Sequence, residues 1–314
     1  MIEARQLTKR FGGRTAIEDV SFAVARGEVA GFLGPNGAGK TTTLRVLAGV
    51  FPPTSGHAIV DGHDLQTAPL AARRRLGYAP ERPALHLGAT VRRQVAFAAA
   101  LRDLSGARAR AAIDAALERT DLRDVQHRPI GALSRGYRQR VGLAVALAGD
   151  PPVLLLDEPM AGLDPAQAAE CRRLVRALAP DRAILVSSHA LAEVELVCDR
   201  VVILHQGRVL AADAPAALAA RLRRTARVDV EAHASSAVLT ALLGSVPGVR
   251  RVDVVPTPNG TARCRVEAEP DRDPRAAIAA RIAAEGWELL TLAPVETSLE
   301  EAFLRLVGAE ERRP

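Results

Sequence analysis

The sequence predicts an α/β protein with a mainly parallel sheet covered on both faces, followed by a small α+β unit. Three observations carry this reading. Over residues 1 to about 220, short apolar strands each run into a helix: "EVAGFLG" into "GKTTTLRVLAGV", "PVLLLDEP" into a helix near Ala166, and "AILVSSH" into "LAEVELVC". Strands without polar alternation are buried on both faces, as in a parallel sheet flanked by helices. Between about 85 and 150 only Ala- and Arg-rich helical segments such as "VRRQVAFAAALRDL" occur, so the α/β domain carries an all-helical insertion.

Beyond about residue 220 the pattern changes. "RVDVEA" reads as a strand, "SSAVLTALLGSV" as a helix, "VRRVDVVP" and "TARCRVEAE" as two strands, "PRAAIAARIAAEG" as a helix and "WELLTLAPVE" as a strand. The order is βαββαβ, the split unit of ferredoxin-like folds, with Asn259 and Gly260 as the hairpin signal. A last helix, "SLEEAFLRLVG", opens with Ser298 and Glu301 at capping-box spacing and carries Leu299, Ala302, Phe303 and Leu306 on one face. The predicted domains are 1–220, with a helical subdomain at about 85–150, and an accessory unit at 221–314.

Composition narrows the partners. The chain has 314 residues and a net charge of +6, and Lys9 and Lys40 are its only lysines, so nearly all of the positive charge is arginine. From Arg221 onward there are 14 basic and 14 acidic residues, which puts the whole excess on the first 220 residues. Aromatic residues make up 3%. Such a chain has no basic-aromatic interleaving for stacking single-stranded nucleic acid; the charge points to phosphate ligands or an anionic membrane surface, beside the commoner reading of a merely solvated surface. Cys171, Cys198 and Cys264 lie far apart without metal-ligand spacing, which argues for a reducing compartment and against structural zinc. No apolar run approaches the length of a membrane span, and the N-terminus lacks a signal-peptide core, so the expectation is a cytosolic chain.

Two motifs carry chemistry. "GPNGAGKT", Gly34 to Thr41, fits GxxxxGK[ST] and stands between a buried strand and a helix. Its glycines let backbone N–H groups turn toward phosphates, Lys40 reaches the β/γ oxygens, and the Thr41 hydroxyl ligates Mg²⁺. Gly34, Pro35, Asn36, Gly37, Ala38, Gly39, Lys40, Thr41 and the following Thr42 are the candidate nucleotide contacts. "VLLLDEP" ends a strand with Asp157 and Glu158, too polar an ending for a buried strand unless a cation sits there. Asp157 then holds Mg²⁺ and Glu158 polarises the attacking water. With lysine only at positions 9 and 40, the chain cannot contain the NKxD motif of a GTPase.

Together with "LSRGYRQR" just upstream of the second motif, these residues resemble the nucleotide-binding subunit of an ABC transporter over residues 1 to about 215. The resemblance implies a P-loop NTPase with a RecA-like core, ATP and Mg²⁺ as its ligands, and ATP hydrolysis as its activity. "AGLD", Ala161 to Asp164, is similar to the D-loop, "SSH" supplies His189 as the switch histidine, and Phe11 matches the aromatic that stacks on adenine. "LSRGYRQR" is similar to the signature LSGGQ, with Arg135 for the first middle glycine and Tyr137 for the glutamine. In that family this helix start faces the γ-phosphate held by the opposite subunit, so Ser134 and Gly136 are implied to serve a partner's ATP. Arg135 there either adds a charge to the phosphate or points to solvent. In "LGYAPERPAL" Glu81 stands where the Q-loop usually has Gln; it can still meet the metal, but it adds negative charge beside the γ-phosphate.

"GYAPE", "LSRGYRQRVGLAVAL" and "SLEEAFLRL" resemble the branch of gliding-motility, sodium-export and drug-export ATPases, which pairs with separate permeases of the type-2 exporter class. The resemblance implies a homodimer, or a heterodimer with a second ATPase, peripheral on the cytoplasmic face of the cell membrane, with a permease partner and no nucleic acid. The alternative is a soluble ABC ATPase acting on nucleic acid or ribosomes; the tandem ATPase halves or long coiled coil of those proteins are absent from this sequence. A ligand-sensing role for the C-terminal unit is a third reading, compatible with the first.

Overall fold

The structure is a computed structural model that describes residues 1–221, 226–257, 261–269 and 273–295, together with Phe303. Two compact units divide at Pro215/Ala216. The first begins with strands β1 (Ile2–Phe11), β2 (Arg14–Val24) and β3 (Val29–Leu33) and helix α1 (Lys40–Leu47). It continues with β4 (Ser55–Val60), β5 (His63–Asp64), α2 (Pro69–Arg74) and β6 (Leu76–Ala79). Helices α3 (Val91–Ala100), α4 (Gly106–Arg119) and α5 (Arg135–Leu147) follow without an intervening strand. The alternation then resumes as β7 (Val153–Asp157), α6 (Pro165–Leu178), β8 (Ala183–Ser188), α7 (Leu191–Val197), β9 (Arg200–His205) and β10 (Arg208–Asp213).

The central sheet has six strands in the order β10-β9-β3-β8-β7-β6, parallel except for the β9–β10 hairpin. Every residue of β3, β7 and β8 is buried, as a strand covered on both faces requires. The register brings Leu33 beside Ser188 and Asp157 beside Ser187, so the carboxyl ends of β3, β8 and β7 lie side by side. Open α/β sheets bind ligands outside the carboxyl ends of their strands.

A second, antiparallel sheet, β2-β1-β4-β5, packs its apolar face (Ile2, Leu7, Val24) with Phe32, Leu155 and Leu185 of the central sheet and Leu44 of α1 in one core. The sequence pattern does not reveal this sheet, because irregularities in the β1–β2 and β1–β4 pairings break the period of two. In the helical insertion the half-buried Arg102, just after α3, donates to the carbonyls of Leu76 and Ala146, tying the end of α3 to β6 and α5.

Helix α8 (Pro215–Arg221) leads to β11 (Ala226–Ala232), α9 (Ser236–Gly244), β12 (Val249–Val255), β13 (Ala262–Ala268), α10 (Arg275–Ala284) and β14 (Leu289–Pro294). The four strands form an antiparallel sheet in the order β12-β13-β11-β14. Val228, Val230, Cys264 and Val266 form a core with Leu239 and Leu243 of α9 and Ile278 and Ile282 of α10. The Asn259-Gly260 turn and the helix expected from Ser298 lie outside the described residues, Phe303 excepted, which is helical.

Candidate nucleotide site

The site is built from the loop after β3. A Cβ on Gly34 would fall 2.3 Å from the Leu204 carbonyl oxygen, so the loop passes against β9 at a distance only glycine allows. Gly39 ends the loop at φ +105, with the space for a side chain taken by Ile17 and the Ala16 carbonyl. The Ala38 carbonyl accepts from Gly207 N at 3.0 Å, which fixes the loop to the β9–β10 turn. No side chain caps the start of α1, so its first-turn N–H groups face the loop as an anion site.

Lys40 is buried, 6% exposed, and its ammonium donates to the carbonyls of Gly34 at 2.7 Å and Pro35 at 3.3 Å. Burial pulls its pKa below the ordinary lysine value, opposed by the charges of Glu158 and Asp157. Its Nζ lies 4.0 Å from Glu158 Oε1. Asp157 is 1% exposed; its Oδ1 accepts from Ser187 Oγ at 2.6 Å and from Thr41 Oγ1 at 3.3 Å. Its Oδ2 is buried with no hydrogen-bond partner among the described residues. A desolvated carboxylate oxygen without a donor is costly unless a cation meets it, so the Thr41–Asp157 pair fits a divalent metal. No cluster of three or more His, Cys, Asp or Glu among the described residues could hold a metal alone. That suits Mg²⁺, which takes one or two carboxylates plus phosphate oxygens rather than an all-protein cage.

Glu158 has φ +49, a left-handed conformation uncommon for a residue with a Cβ. Its N–H donates to Ser187 Oγ at 3.0 Å and to the Ser187 carbonyl at 3.2 Å, which hold that geometry. Its Oε2 lies 2.9 Å from His189 Nδ1, and the His189 ring is exposed. Ser187 therefore holds the Asp157 carboxylate and the backbone of Glu158 together, a role the sequence reading does not assign. The available signal was a serine at the end of an otherwise apolar buried strand. Tyr78 is a second addition: burial first, then the charge of Asp157, push its pKa up, opposed by the neighbouring Arg45.

An open cleft of about 660 Å³ is lined by Phe11, Asn36, Lys40, Thr41, Glu81 and Glu158, among others, a size in the range of small-molecule sites. Phe11 is 45% exposed and braced edge-on by Phe51 at 5.4 Å, with Lys9 Nζ 5.0 Å from its ring. Glu81 is exposed at the rim. Pro35, Gly37, Gly39 and Thr42 also line the cleft, while Ala38 is buried beneath it. Ser134 and Gly136 do not line it. Ser134 is the exposed N-cap of α5, accepting from Tyr137 N, and Gly136 lies close against Gln167 of α6.

The family model described as "ABC transporter" matches residues 17–161. The uncharacterized ABC transporter ATP-binding protein YhcH of Bacillus subtilis is 39% identical over 213 residues, 67% of this chain and 68% of its own. Nod factor export ATP-binding protein I of Burkholderia orbicola is 39% identical over 218 residues, 69% of this chain and 72% of its own. The probable multidrug ABC transporter ATP-binding protein YbhF of Escherichia coli is 36% identical over 216 residues, 68% of this chain but only 37% of YbhF. A solved ATP-binding subunit of an ABC transporter superposes with a TM-score of 0.65 at 32% identity, covering 70% of this chain and 92% of that one. With the phosphate loop, the paired carboxylates and His189 assembled at the carboxyl end of one sheet, and with YhcH and Nod factor export ATP-binding protein I matched over two thirds or more of their length, the chain belongs to the ATP-binding proteins of ABC transporters.

Proposed function

We propose that the chain hydrolyses ATP as one of two ATPase subunits, closing on ATP as a homodimer or with a second ATPase, and drives export through a separate membrane permease. The observation that carries it is the placement of Glu158. Its carboxylate stands between Lys40, 4.0 Å away, and His189, 2.9 Å away, at the mouth of the phosphate loop. Lys40 binds the β/γ oxygens and Phe11 stacks on the adenine. Glu158 accepts the proton of the attacking water while His189 holds Oε2 in place. Mg²⁺, which supplies positive charge against the phosphates, would be held by Thr41, Asp157 and Glu81.

Ser134 and Gly136 lie outside this chain's own cleft, which supports their service to a partner's ATP and so the dimer. Export is inferred from the printed name of the Nod factor export relative. None of the described helices is long and apolar enough to cross a membrane, so transport requires the permease, and the reading places the subunit peripherally on the cytoplasmic face. We infer further that residues 1–220 are the ATP-binding domain and 221–314 an accessory unit, whose strand order β12-β13-β11-β14 supports a ferredoxin-like topology.

Sedimentation of Glu158→Gln with ATP and Mg²⁺ tests the reading: the expected species is a dimer, reverting to monomer without nucleotide. A monomer at high concentration under both conditions would overturn it.

A further inference from the structure

Arg135 stands where the signature motif has a glycine, and it makes a contact that glycine cannot. A Cβ built on Gly162 would fall 2.5 Å from Arg135 Cζ, 2.5 Å from Nη2 and 2.7 Å from Nη1. Near-equal distances to three coplanar atoms mean that Gly162 meets the face of the guanidinium, not its edge. The N–H donors lie in that plane, so the contact uses none of them, and among the described residues no carboxylate or carbonyl accepts from them. A cation at the first residue of a helix opposes the helix dipole, and no acidic residue stands in the first turn of α5. Arg135 thus brings α5 no local stability; what it adds is the contact with Gly162.

A second contact ties the same two segments. A Cβ on Gly136 would lie 2.4 Å from Gln167 Oε1, and Gln167 N donates to Asp164 Oδ1 at 2.9 Å. The first two residues of α5 therefore grip the stretch from Gly162 to Gln167. That stretch leaves directly from Glu158: Ala161 N donates to the Glu158 carbonyl at 3.1 Å and Leu163 N to that of Met160 at 3.3 Å.

We propose that Arg135 is a positioning residue for Glu158, its guanidinium laid on Gly162 so that the turn after Glu158 is held by the start of α5. This rests on the proposed function for the role of Glu158 and for the partner nucleotide that the start of α5 would face. Under it, loading of the partner's site bears on this chain's own hydrolytic carboxylate through a plane of atoms that the glycine of the signature motif lacks.

The test needs two readouts on the full chain. Without nucleotide, Arg135→Gly should speed hydrogen exchange at the Ala161–Leu163 amides about tenfold, as loss of a local restraint does, and leave the β7 amides unchanged. Arg135→Lys should behave like Arg135→Gly, since an ammonium has no face to lay on the glycine. In steady-state hydrolysis, Arg135→Gly and Gly162→Ala should each lower kcat about three- to tenfold with KM within about twofold, and the double variant should be no slower than the slower single. Unchanged exchange in Arg135→Gly, wild-type behaviour of Arg135→Lys, or multiplying kcat losses would each overturn the proposal. A wild-type chain that hydrolyses no ATP would overturn the proposed function instead, and the exchange result would still decide the contact.

Discussion

Lys40 and Glu158 face each other across 4.0 Å at the mouth of the cleft, yet the proposed function gives them different steps. Glu158→Gln keeps the shape and removes the base, so turnover should fall by about 10²- to 10⁴-fold with ATP affinity retained. Lys40→Ala should do the reverse to affinity: losing a charge-assisted phosphate contact weakens ATP binding by roughly ten- to a hundredfold. Equilibrium ATP binding measured beside turnover separates the two. If Glu158→Gln loses binding along with activity, Glu158 is not the base. Asp157 and Glu158 stood out in the sequence as polar residues ending an apolar strand, and Lys40 as the lysine of a GxxxxGK[ST] loop. Ser187 was not, since one small hydroxyl at the end of a buried strand looks the same whether it caps the strand or joins the Asp157 carboxylate to the Glu158 backbone. The face-on contact of Arg135 was also illegible, joining positions 27 apart through the orientation of a long side chain.

At the scale of elements, glycines separate contacts that hold the fold from contacts that serve the site. A Cβ on Gly77 of β6 would lie 2.3 Å from the Ala146 carbonyl oxygen of α5, a backbone atom that cannot move aside alone. The same Cβ on Gly136 would meet the end of the Gln167 side chain, which can turn away. Gly77→Ala should therefore cost about 1–3 kcal/mol, the usual penalty of overpacking, while Gly136→Ala should melt near the wild type and lose ATPase activity. Thermal melts with turnover on the same samples check the pair, and equal melting shifts would refute the distinction. In the C-terminal unit, Asp229 is 7% exposed and accepts from Arg265 and Arg263. The Arg265 hydrogen bond leads in holding its pKa below the ordinary carboxylate value. A carboxylate depressed in the folded state contributes stability that is full above its unfolded pKa of about 3.9 and lost as pH falls through the lower folded value. Asp229→Asn should thus flatten the loss of stability below about pH 4; an unaltered acid limb would count against the pair. Uninterrupted apolar strands make the central sheet readable. The β2-β1-β4-β5 sheet escapes because the β1–β2 and β1–β4 pairings are irregular and β1 and β4 lie far apart in the chain.

For the whole molecule, the division into units makes a prediction about independence. Each unit has its own core: Phe32, Leu44, Leu155 and Leu185 in the first, Val230, Leu239, Val266 and Ile278 in the second. The phosphate loop, Asp157, Glu158 and His189 all fall within Met1–Pro215. The charge divides in the same way, with the whole net excess of +6 before Arg221 and a balanced remainder after it. An excess of arginine suits a surface near anionic headgroups, where each basic side chain gains about 1 kcal/mol; a balanced unit gains nothing there. A chain ended after Arg221 should therefore fold and bind ATP within about twofold of the full chain, as a domain with its own core does. It should also keep its affinity for vesicles of anionic lipid, which the isolated C-terminal unit should lack. The quantities expected to change are dimer affinity and basal turnover, because the segment from Ser298 has the sequence of an amphipathic helix whose apolar face needs a partner. ATP titration and sedimentation of the shortened chain beside the full one decide the matter. A shortened chain that is folded by circular dichroism but binds no ATP would show that the C-terminal unit completes the nucleotide site.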